Sequence, residues 1–395
     1  MEVFDRMEET VTARAGEERA LLRFLDKVFA RQNLIPYFKW LLPKLFRAGA
    51  APCPKTLVVR DEKNPSRFRA AVGLYMIECA VGSEKLLAAG IGNVAVGKRY
   101  RGMGYMKLLM RQALELARAR GADYSVLNGL RHRYQYFGYE RVGCGYDFKL
   151  TKTSLRHSLH GTEMVPLTVE KLRREDTETL AAIHALNETS PVYCARPDDP
   201  AALWDTLTSW FAVPYILRRE GAFAGYFQYA RIGFRVEELR LTDAELLGGA
   251  VTAILAKLKR SNLVFRTLPT EAGLIAGLTP LCETVHIQNT NIFNVLNYTH
   301  VLEALLRLKA RSAPLCEGEL VLRVNGFFEA ETLRISVRGG EIAVTPTDEA
   351  PALALEHLAA MRCFFAPVAP ERALLPAYAA SWFPLLIDMP YMDTV

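Results

Sequence analysis

The chain is sparing in cysteine and has no long apolar run. Its seven cysteines among 395 residues are scattered, and none stands in a C-x-x-C pair, which argues against both a zinc site and a disulfide framework. No apolar run reaches the ~18–20 residues of a membrane span, so we expect no membrane partner. The acidic beginning of the chain is unlike a signal peptide. These absences predict a cytoplasmic protein that binds no metal.

A strong excess of charge of one sign is also missing. The 49 lysines and arginines against 43 aspartates and glutamates give a net charge of +6, spread along the chain, so we expect no nucleic-acid partner. The P-loop pattern G-x-x-x-x-G-K-[ST] is absent, which argues against a nucleotide triphosphatase. The dinucleotide pattern G-x-G-x-x-G is unmet as well, because Lys107 stands where its third glycine belongs.

A turn rich in glycine and arginine is the most informative feature that the chain does have. It links an apolar run to an amphipathic helix predicted over Tyr105–Arg120. Gly102 and Gly104 leave backbone N–H groups accessible at the positive end of that helix dipole, an arrangement suited to phosphates. Arg99 and Arg101 can add charge-assisted hydrogen bonds. The turn predicts a ligand with a pyrophosphate; the alternative is a helix N-terminus with solvated arginines.

The residues of this turn, Arg99-Tyr-Arg-Gly-Met-Gly104, match R/Q-x-x-G-x-G/A and resemble the acetyl-coenzyme A (acetyl-CoA) pyrophosphate loop of the GNAT acetyltransferases. The resemblance implies acetyl-CoA as co-substrate and no metal. It also implies that the preceding strand pairs with the pantetheine arm, and that an amide near Val94 polarises the thioester carbonyl. The predicted cofactor-binding residues are Val94, Ala95, Val96, Arg99, Arg101, Gly102, Met103, Gly104, Tyr105 and Asn128.

A second motif, Arg131–Tyr139, follows further along the chain and resembles the GNAT segment in which a tyrosine faces the thioester. When an amine attacks the thioester, charge builds on the leaving thiolate, and a phenol can protonate it. By position in the motif that phenol is Tyr134, with a core aromatic as the alternative interpretation. We expect Tyr136, Phe137 and Tyr139 to be core aromatics.

The chain divides into three predicted regions, which are called the first region (1–150), the second region (151–298) and the third region (299–395). The first region is predicted to hold mixed strands with helices on both sides, and the coarse order matches a GNAT fold. Two of its helices are predicted over Glu17–Arg31 and Tyr37–Arg47.

The second region is predicted to be a degenerate copy of the first. Its matching strand-to-helix turn has no glycine pair and carries two carboxylates that would repel phosphates, so we expect that it has lost the cofactor. The third region resembles a sterol-carrier-protein-like α+β domain, with an inner face that is either a packed core or a lipid site. The predicted fold class is therefore α/β (α+β): tandem GNAT-like domains with mixed central sheets flanked by helices, then a sterol-carrier-like domain.

This order of regions is similar to that of the Eis-type (enhanced intracellular survival) acetyltransferases. The resemblance implies a homo-oligomer, a hexamer, and a C-terminal carboxylate that returns to the cleft of the first domain as general base. Here that residue would be Val395, although the family's tail usually ends in an aromatic residue. The strand before the loop, residues 86–96, contains no acid, so the glutamate that many GNAT enzymes use is absent. The alternative is a tail that only packs, while the amine loses its proton to solvent.

The predicted function is direct transfer of an acetyl group from acetyl-CoA to a primary amine in a ternary complex. The acceptor implied by the resemblance is a cationic small molecule (aminoglycoside-like, polyamine or lysine-like) or a peptide lysine. A covalent cysteine route is not expected, because no cysteine stands in a motif with a histidine. Two alternatives stay open: an acetyl-CoA-binding regulator, and a lipid-binding protein acting through the third region. Residues predicted to line the acceptor pocket, or else to belong to the core, are Asp26, Phe29, Tyr37 and Trp40.

Overall fold

The computed structural model describes most of the chain. The described residues are 12–29, 37–47, 49–231 and 233–395. Residues 1–11 of the first region, and the last two residues of the helix predicted over Glu17–Arg31, lie outside this description.

The secondary structure of the described residues alternates between helices and strands in its first part. Up to residue 158 the elements are α1 (Glu18–Phe29), α2 (Phe38–Leu41), α3 (Pro43–Phe46), β1 (Thr56–Arg60), β2 (Phe68–Val81), β3 (Glu84–Val96), α4 (Tyr105–Ala119), β4 (Tyr124–Leu127), α5 (Arg131–Tyr134), β5 (Glu140–Val142), β6 (Gly145–Thr151) and α6 (Lys152–Ser158).

The middle and the end of the chain follow the same mixed pattern. From residue 168 to residue 295 the elements are β7 (Thr168–Lys171), α7 (Thr177–Glu188), β8 (Val192–Cys194), α8 (Pro200–Leu207), β9 (Ala212–Arg219), β10 (Ala222–Ala230), β11 (Arg235–Leu241), α9 (Leu247–Lys257), β12 (Asn262–Thr267), α10 (Ala272–Leu278), β13 (Thr284–Gln288) and β14 (Asn291–Val295). The remaining ones are α11 (Tyr298–Ala310), β15 (Gly318–Asn325), β16 (Ala330–Arg338), β17 (Glu341–Pro346), β18 (Leu353–Glu356) and α12 (His357–Phe365).

The single helix predicted over Tyr37–Arg47 is wrong, because the structure has two short helices there, α2 and α3. The break falls at Leu42, whose φ of −129° and ψ of 64° are not helical. Leu42 precedes Pro43, and the proline ring disfavours the helical conformation of the residue before it. Pro43 then begins the next helix, where its missing N–H costs no hydrogen bond.

Three sheets organise the part of the chain that the structure describes, and the first contains a pair of parallel strands that part at one end. Its strand order is β1-β2-β3-β4-β14-β5, with β8 added at the end of β2. The parallel pair β3 and β4 is in register only over Ala88–Gly90 and Tyr124–Val126, so the strands part beyond Gly90. The predicted α/β class, with mixed sheets flanked by helices, is confirmed.

The first two sheets exchange strands. The second sheet has the order β13-β6-β12-β11-β10-β9-β7, so it contains β6, which follows directly on the first sheet's β5. In return, β14 from the end of the second region lies between β4 and β5 in the first sheet. The first and second regions are therefore joined by main-chain hydrogen bonds within the first sheet, while the domain boundaries at 150 and 298 stay a prediction.

The third region forms a four-stranded sheet in the order β17-β16-β15-β18. Its side chains share one apolar cluster with α11, α12 and the first sheet, including the fully buried Leu322, Ile335 and Phe364. The chain then returns as a tail, residues 384–395, that runs along the second sheet and ends against β3 of the first. None of the helices in the described part of the chain combines the length and apolarity that crossing a membrane requires.

Candidate functional site

The glycine-rich turn lies at the end of β3, where β3 and β4 have parted. Gly102 and Gly104 have φ angles of 84° and 80°, in the left-handed region that favours glycine. Gly104 is the residue immediately before α4, and the space around both α-carbons is open. The N–H groups at the start of this 15-residue helix therefore face an unobstructed surface, as an anion site requires.

Side chains from the neighbouring hairpin brace this turn. The Tyr100 hydroxyl donates to Asp61 Oδ2 at 2.6 Å, and Arg69 donates to the same carboxylate oxygen at 3.3 Å and to the Tyr105 hydroxyl at 3.1 Å. The hydrogen bond from Tyr100 is the largest cause that lowers the pKa of Asp61, to about 2. Sequence reasoning missed this brace, because Asp61 and Arg69 precede the motif and belong to no recognisable pattern.

A cavity of about 790 Å³ opens beside the turn. It is lined by the end of α1, by alternate residues of β3, by the turn and start of α4, and by the motif around α5. Six of the ten predicted cofactor-binding residues line it: Val94, Val96, Arg101, Gly102, Gly104 and Tyr105. The other four, Ala95, Arg99, Met103 and Asn128, do not. Ala95 is buried on the opposite face of β3, as the alternation of a strand requires, and the other three are exposed.

A β-bulge lies on the cavity side of β3. The pairing of β2 with β3 shifts so that Val72 of β2 faces both Asn93 and Val94. Asn93 has a φ of 58°, and its Nδ2 donates to the hydroxyl of Tyr75 at 2.9 Å. A bulge takes main-chain groups out of the ladder and bends the strand, here next to the cavity-lining Val94. The apolar run in the sequence gave no signal of it.

Tyr134 lies at the end of α5 with its ring buried against Gly129, where a β-carbon would fall 2.2 Å from Tyr134 Cε2. Burial raises the pKa of its phenol, so the group is protonated at neutral pH, as a proton donor must be. Its hydroxyl forms no hydrogen bond with any described residue. Its neighbours Arg133, Tyr136 and Phe137 line the cavity, whereas Tyr134 itself does not.

The prediction that Tyr136 is a core aromatic is wrong, because its side chain is 85% exposed. The segment Gln135–Phe137 is a 3₁₀ turn, in which residues three apart share a face. Tyr134 and Phe137 therefore point into the core and Tyr136 points out. Phe137 and Tyr139 are buried, as predicted.

The tail ends against β3 of the first sheet, in the apolar cluster that includes α1 and α2, and Val395 does not line the cavity of about 790 Å³. Val395 is buried, and a β-carbon at Gly92 would lie 2.9 Å from its carboxyl carbon. Lys44 Nζ donates to the carbonyl oxygens of Met392 and Thr394, each at 2.6 Å. Desolvation lowers the pKa of Lys44 to about 8.

A buried ion-pair network of the second region also contacts the tail. Arg196 donates to Asp393 Oδ1 at 3.1 Å and to Oδ2 at 3.0 Å, while its other side-chain hydrogen bonds go to Glu238 and to the Tyr226 hydroxyl. Trp210 Nε1 donates to the carbonyl oxygen of Thr394 at 3.1 Å. Both ends of this network are buried, so the tail is held by specific polar contacts rather than by apolar packing alone.

The residues predicted to line an acceptor pocket are dispersed. Phe29 lines the cavity. The Asp26 carboxylate accepts a hydrogen bond from the Phe38 N–H at 2.6 Å and so holds the start of α2. Tyr37 and Trp40 are 51% and 61% exposed, and their ring centroids are 4.8 Å apart. These two do not line the cavity.

The alternative metal and cysteine chemistries gain no support from the geometry. In the part of the chain that the structure describes, no group of three or more histidine, cysteine or acidic side chains could hold a metal ion. Burial raises the pKa of the Cys144 thiol to about 11, which leaves it a poor nucleophile at neutral pH.

Comparison with known families shows what this site resembles. Residues 10–146 match the family model described as an acetyltransferase (GNAT) domain. This part of the chain is therefore similar to a GNAT acetyltransferase domain, and the glycine-rich turn and the open cleft fall within the matched residues. A comparison with curated proteins found no match.

Solved structures show that the likeness of fold extends over nearly the whole chain. A GCN5-related N-acetyltransferase from Anabaena variabilis is 18% identical, covers 98% of this chain and 99% of its own, and has a TM-score of 0.67. Eis1 from Mycobacterium abscessus is 16% identical over 95% of each chain, with a TM-score of 0.64. A GCN5-related N-acetyltransferase from Kribbella flavida is 20% identical, covers 90% of this chain and 92% of its own, and has a TM-score of 0.58.

Proposed function

We propose that the protein is an acetyl-CoA-dependent N-acetyltransferase that acts on a primary amine. The observation that carries this proposal is the 790 Å³ cavity where β3 and β4 part, lined by the glycine-rich turn within the residues that match a GNAT domain. Main-chain groups of Val94 and Val96 would pair with the pantetheine arm in the gap between the strands. The N–H groups from Arg101 to Tyr105 would hold the pyrophosphate, with Arg101 adding a charge-assisted hydrogen bond.

The proposed chemistry is a direct transfer. The unprotonated amine attacks the thioester carbonyl carbon, a C–N bond forms, and the C–S bond breaks. The leaving thiolate takes the proton of the Tyr134 hydroxyl. The ammonium formed on the acceptor loses its proton to the Val395 carboxylate, whose carboxyl carbon lies against Gly92 of β3. Proton transfer from this carboxyl group to the tyrosinate would then restore both groups for the next turnover.

The proposed acceptor is a cationic small molecule (aminoglycoside-like, polyamine or lysine-like) or a peptide lysine. Phe29, which lines the cavity, supports a cationic acceptor, since aromatic faces attract ammonium groups. The proposed assembly is a homo-hexamer in the cytoplasm, which light scattering on the purified protein would test.

The position of Tyr134 favours one alternative, a regulator that binds acetyl-CoA without turnover. Tyr134 is buried and does not line the cavity, so a rigid cleft would keep its hydroxyl from the sulfur. In that case the protein would bind acetyl-CoA tightly and release no thiol with any amine. The lipid-binding alternative is less well supported, because the inner face of the third sheet belongs to a fully buried apolar cluster.

Thiol release from acetyl-CoA across a panel of amines tests the proposal. We expect release with at least one polyamine, aminoglycoside or lysine compound, and a decrease of at least ~10-fold in kcat, about 1.4 kcal/mol of barrier, for Tyr134→Phe. Tyr193→Phe, on β8 away from the cavity, is the matched control and should leave kcat unchanged. Tight binding of acetyl-CoA with no release on any amine would support the regulator instead.

A further inference from the structure

The third region makes polar contacts with the motif that carries Tyr134. The carboxylate of Glu140, on β5 directly after this motif, is almost fully buried. It accepts a hydrogen bond from Arg131 Nη2 at 2.7 Å, and a second arginine, Arg362 of α12, donates to it from Nη1 at 2.9 Å. Gln135 Nε2 adds a third donor at 3.2 Å. One carboxylate thus ties both ends of the short segment from Arg131 to Gln135 to a helix of the third region.

The charges along this contact alternate in sign. Arg362 is held in turn by Glu371, to which its Nε donates at 2.8 Å. Burial opposes the ionisation of Glu140, yet the hydrogen bonds from Arg131, from the Arg141 N–H and from Arg362 leave its pKa lowered. Glu140 therefore remains a carboxylate at neutral pH. A buried ion pair contributes little net stability, because the cost of desolvation offsets the attraction, but it fixes the geometry of the groups it joins.

Three further contacts hold the other end of the motif. His357, the first residue of α12, donates from Nε2 to the carbonyl oxygen of Gly138 at 2.9 Å. Phe327 of the third region packs so closely on Gly138 that a β-carbon there would lie 2.7 Å from the ring. Asn294 of β14 donates to the carbonyl oxygen of Phe137 at 2.9 Å. The part of the motif after Tyr134 is thus held by residues more than 150 positions away in the chain.

We propose that Arg362 is a positioning residue, which acts through Glu140 to set the placement of Tyr134 at the cleft. The inference rests on the proposed function, because it assumes that Tyr134 is the acid. It assigns a role to the third region that needs no lipid ligand: α12 holds the segment that delivers a proton. A short helix of four residues has too few internal hydrogen bonds to hold itself, so its position depends on such external contacts.

The test is a double-mutant cycle between Arg362 and Tyr134 in the full chain. We expect Arg362→Met to lower kcat about 10-fold while the KM for acetyl-CoA changes less than about 2-fold, and Arg362→Lys to recover part of kcat. In a Tyr134→Phe background, Arg362→Met should lower kcat by less than about 2-fold further, because the group it positions is gone. Arg334→Met is the matched control, since Arg334 pairs with Glu319 within the third region. Multiplicative losses in the two backgrounds would overturn the inference.

A measurement that does not depend on turnover separates this inference from the proposed function. Amide hydrogen exchange of residues 131–139 should be faster in Arg362→Met than in the parent protein and in Arg334→Met. If the parent released no thiol with any amine, the proposed function would fail, and faster exchange would still show that α12 holds the segment. Unchanged exchange in a folded Arg362→Met variant would overturn the inference whatever the activity.

Discussion

The first and second sheets each contain a pair of parallel strands that part at one end, and they use the gap differently. In the second sheet β11 and β12 are in register only at Arg235 with Val264 and Val236 with Phe265. The gap beyond them leads to a turn without glycine, in which the Asp243 carboxylate accepts a hydrogen bond from the Glu245 N–H. In the first sheet the matching N–H groups face open space. A side chain that caps its own helix occupies the backbone N–H groups that a glycine-rich turn leaves free for a ligand.

The tail makes a second difference between the two gaps, because its residues line a cavity only in the second one. Residues Asp388, Pro390 and Tyr391 line a cavity of about 30 Å³ in the second gap, among Arg240, Arg266 and the acidic residues that pair with them. That volume holds little more than a water molecule. Beside the second turn a further cavity of about 360 Å³ is open, and Leu241, Ala244 and Leu247 are among the residues that line it. The end of the tail lies against Gly90 and Gly92 of β3 in the first sheet. We expect the second region to support the tail rather than a coenzyme, because its turn has no glycine and carries two carboxylates.

The largest effect is expected from a substitution that introduces a carboxylate into the glycine-rich turn of the first sheet, as in the corresponding turn of the second sheet. We expect Gly104→Asp to raise the Kd of coenzyme A about 1,000-fold, ~4 kcal/mol, because a side chain is strained at a φ of 80° and the carboxylate repels the pyrophosphate. Isothermal titration calorimetry measures the Kd. Gly221→Asp, at a φ of 85° in the β9–β10 hairpin, is the matched control for strain alone. Retained affinity in Gly104→Asp would mean that the turn is not the pyrophosphate site.

The next effect concerns the contact between the third region and the first. Burial lowers the pKa of His357 to about 4, below its ordinary value of 6.5. Its contribution to the free energy of unfolding is therefore complete above pH 6.5 and is lost as the pH falls through 4, a difference on the order of 3 kcal/mol. Denaturant unfolding at a series of pH values measures it. His357→Gln should flatten this part of the profile, and an unchanged profile would contradict the assignment.

A smaller effect is expected where the tail meets the first region. Lys44→Met removes the donor to the carbonyl oxygens of Met392 and Thr394, so the end of the tail should shift against β3 and kcat should fall about 10-fold, ~1.4 kcal/mol. Steady-state kinetics measure kcat and KM. The matched control is Lys39→Met, an exposed lysine on the neighbouring α2. Equal kinetics in the two variants would show that the tail's position does not limit turnover.

The smallest effect lies in the second turn. Asp243→Ala removes the hydrogen bond at the start of the segment that leads into α9, which should lower the free energy of unfolding by ~1 kcal/mol. Thiol release should stay the same, because this turn binds no coenzyme in the proposed scheme. A change in kcat larger than the loss of stability explains would show that the second gap takes part in turnover.

The local features of the site could be predicted from the sequence. The two glycines, the arginines beside them and the helix that follows are all contained in one short segment, and its chemistry depends on its own backbone. The burial of Phe137 and Tyr139 followed from their apolar character. The exposure of Tyr136 could not be predicted, because the sequence does not show that a 3₁₀ turn replaces a longer helix there and directs this ring outwards.

The contacts that hold the site could not be predicted, because they join residues far apart in the chain. Two examples are the contacts of Arg362 with Glu140 and of Lys44 with Thr394. None of these four polar residues belongs to a motif or a periodic pattern that would distinguish it from a residue at the surface. The bulge at Asn93 could not be predicted either, because an extra residue in one strand can be recognised only when its pairing with the neighbouring strand is known. Such pairings depend on the whole fold rather than on the neighbouring residues.

The exchange of strands between the two sheets has a consequence for how the molecule folds during synthesis. Strand β5 is attached to the first sheet only through β14, which leaves the ribosome after residues 143–290 have been made. Until β14 has been synthesised, β5 has no partner strand in the first sheet. The cleft of a nascent chain would therefore be incomplete. Contacts of such long sequence separation also slow folding. The cleft of the first sheet, although the glycine-rich turn beside it is encoded early, is completed late, and we expect that a fragment ending near residue 150 does not fold into a stable domain.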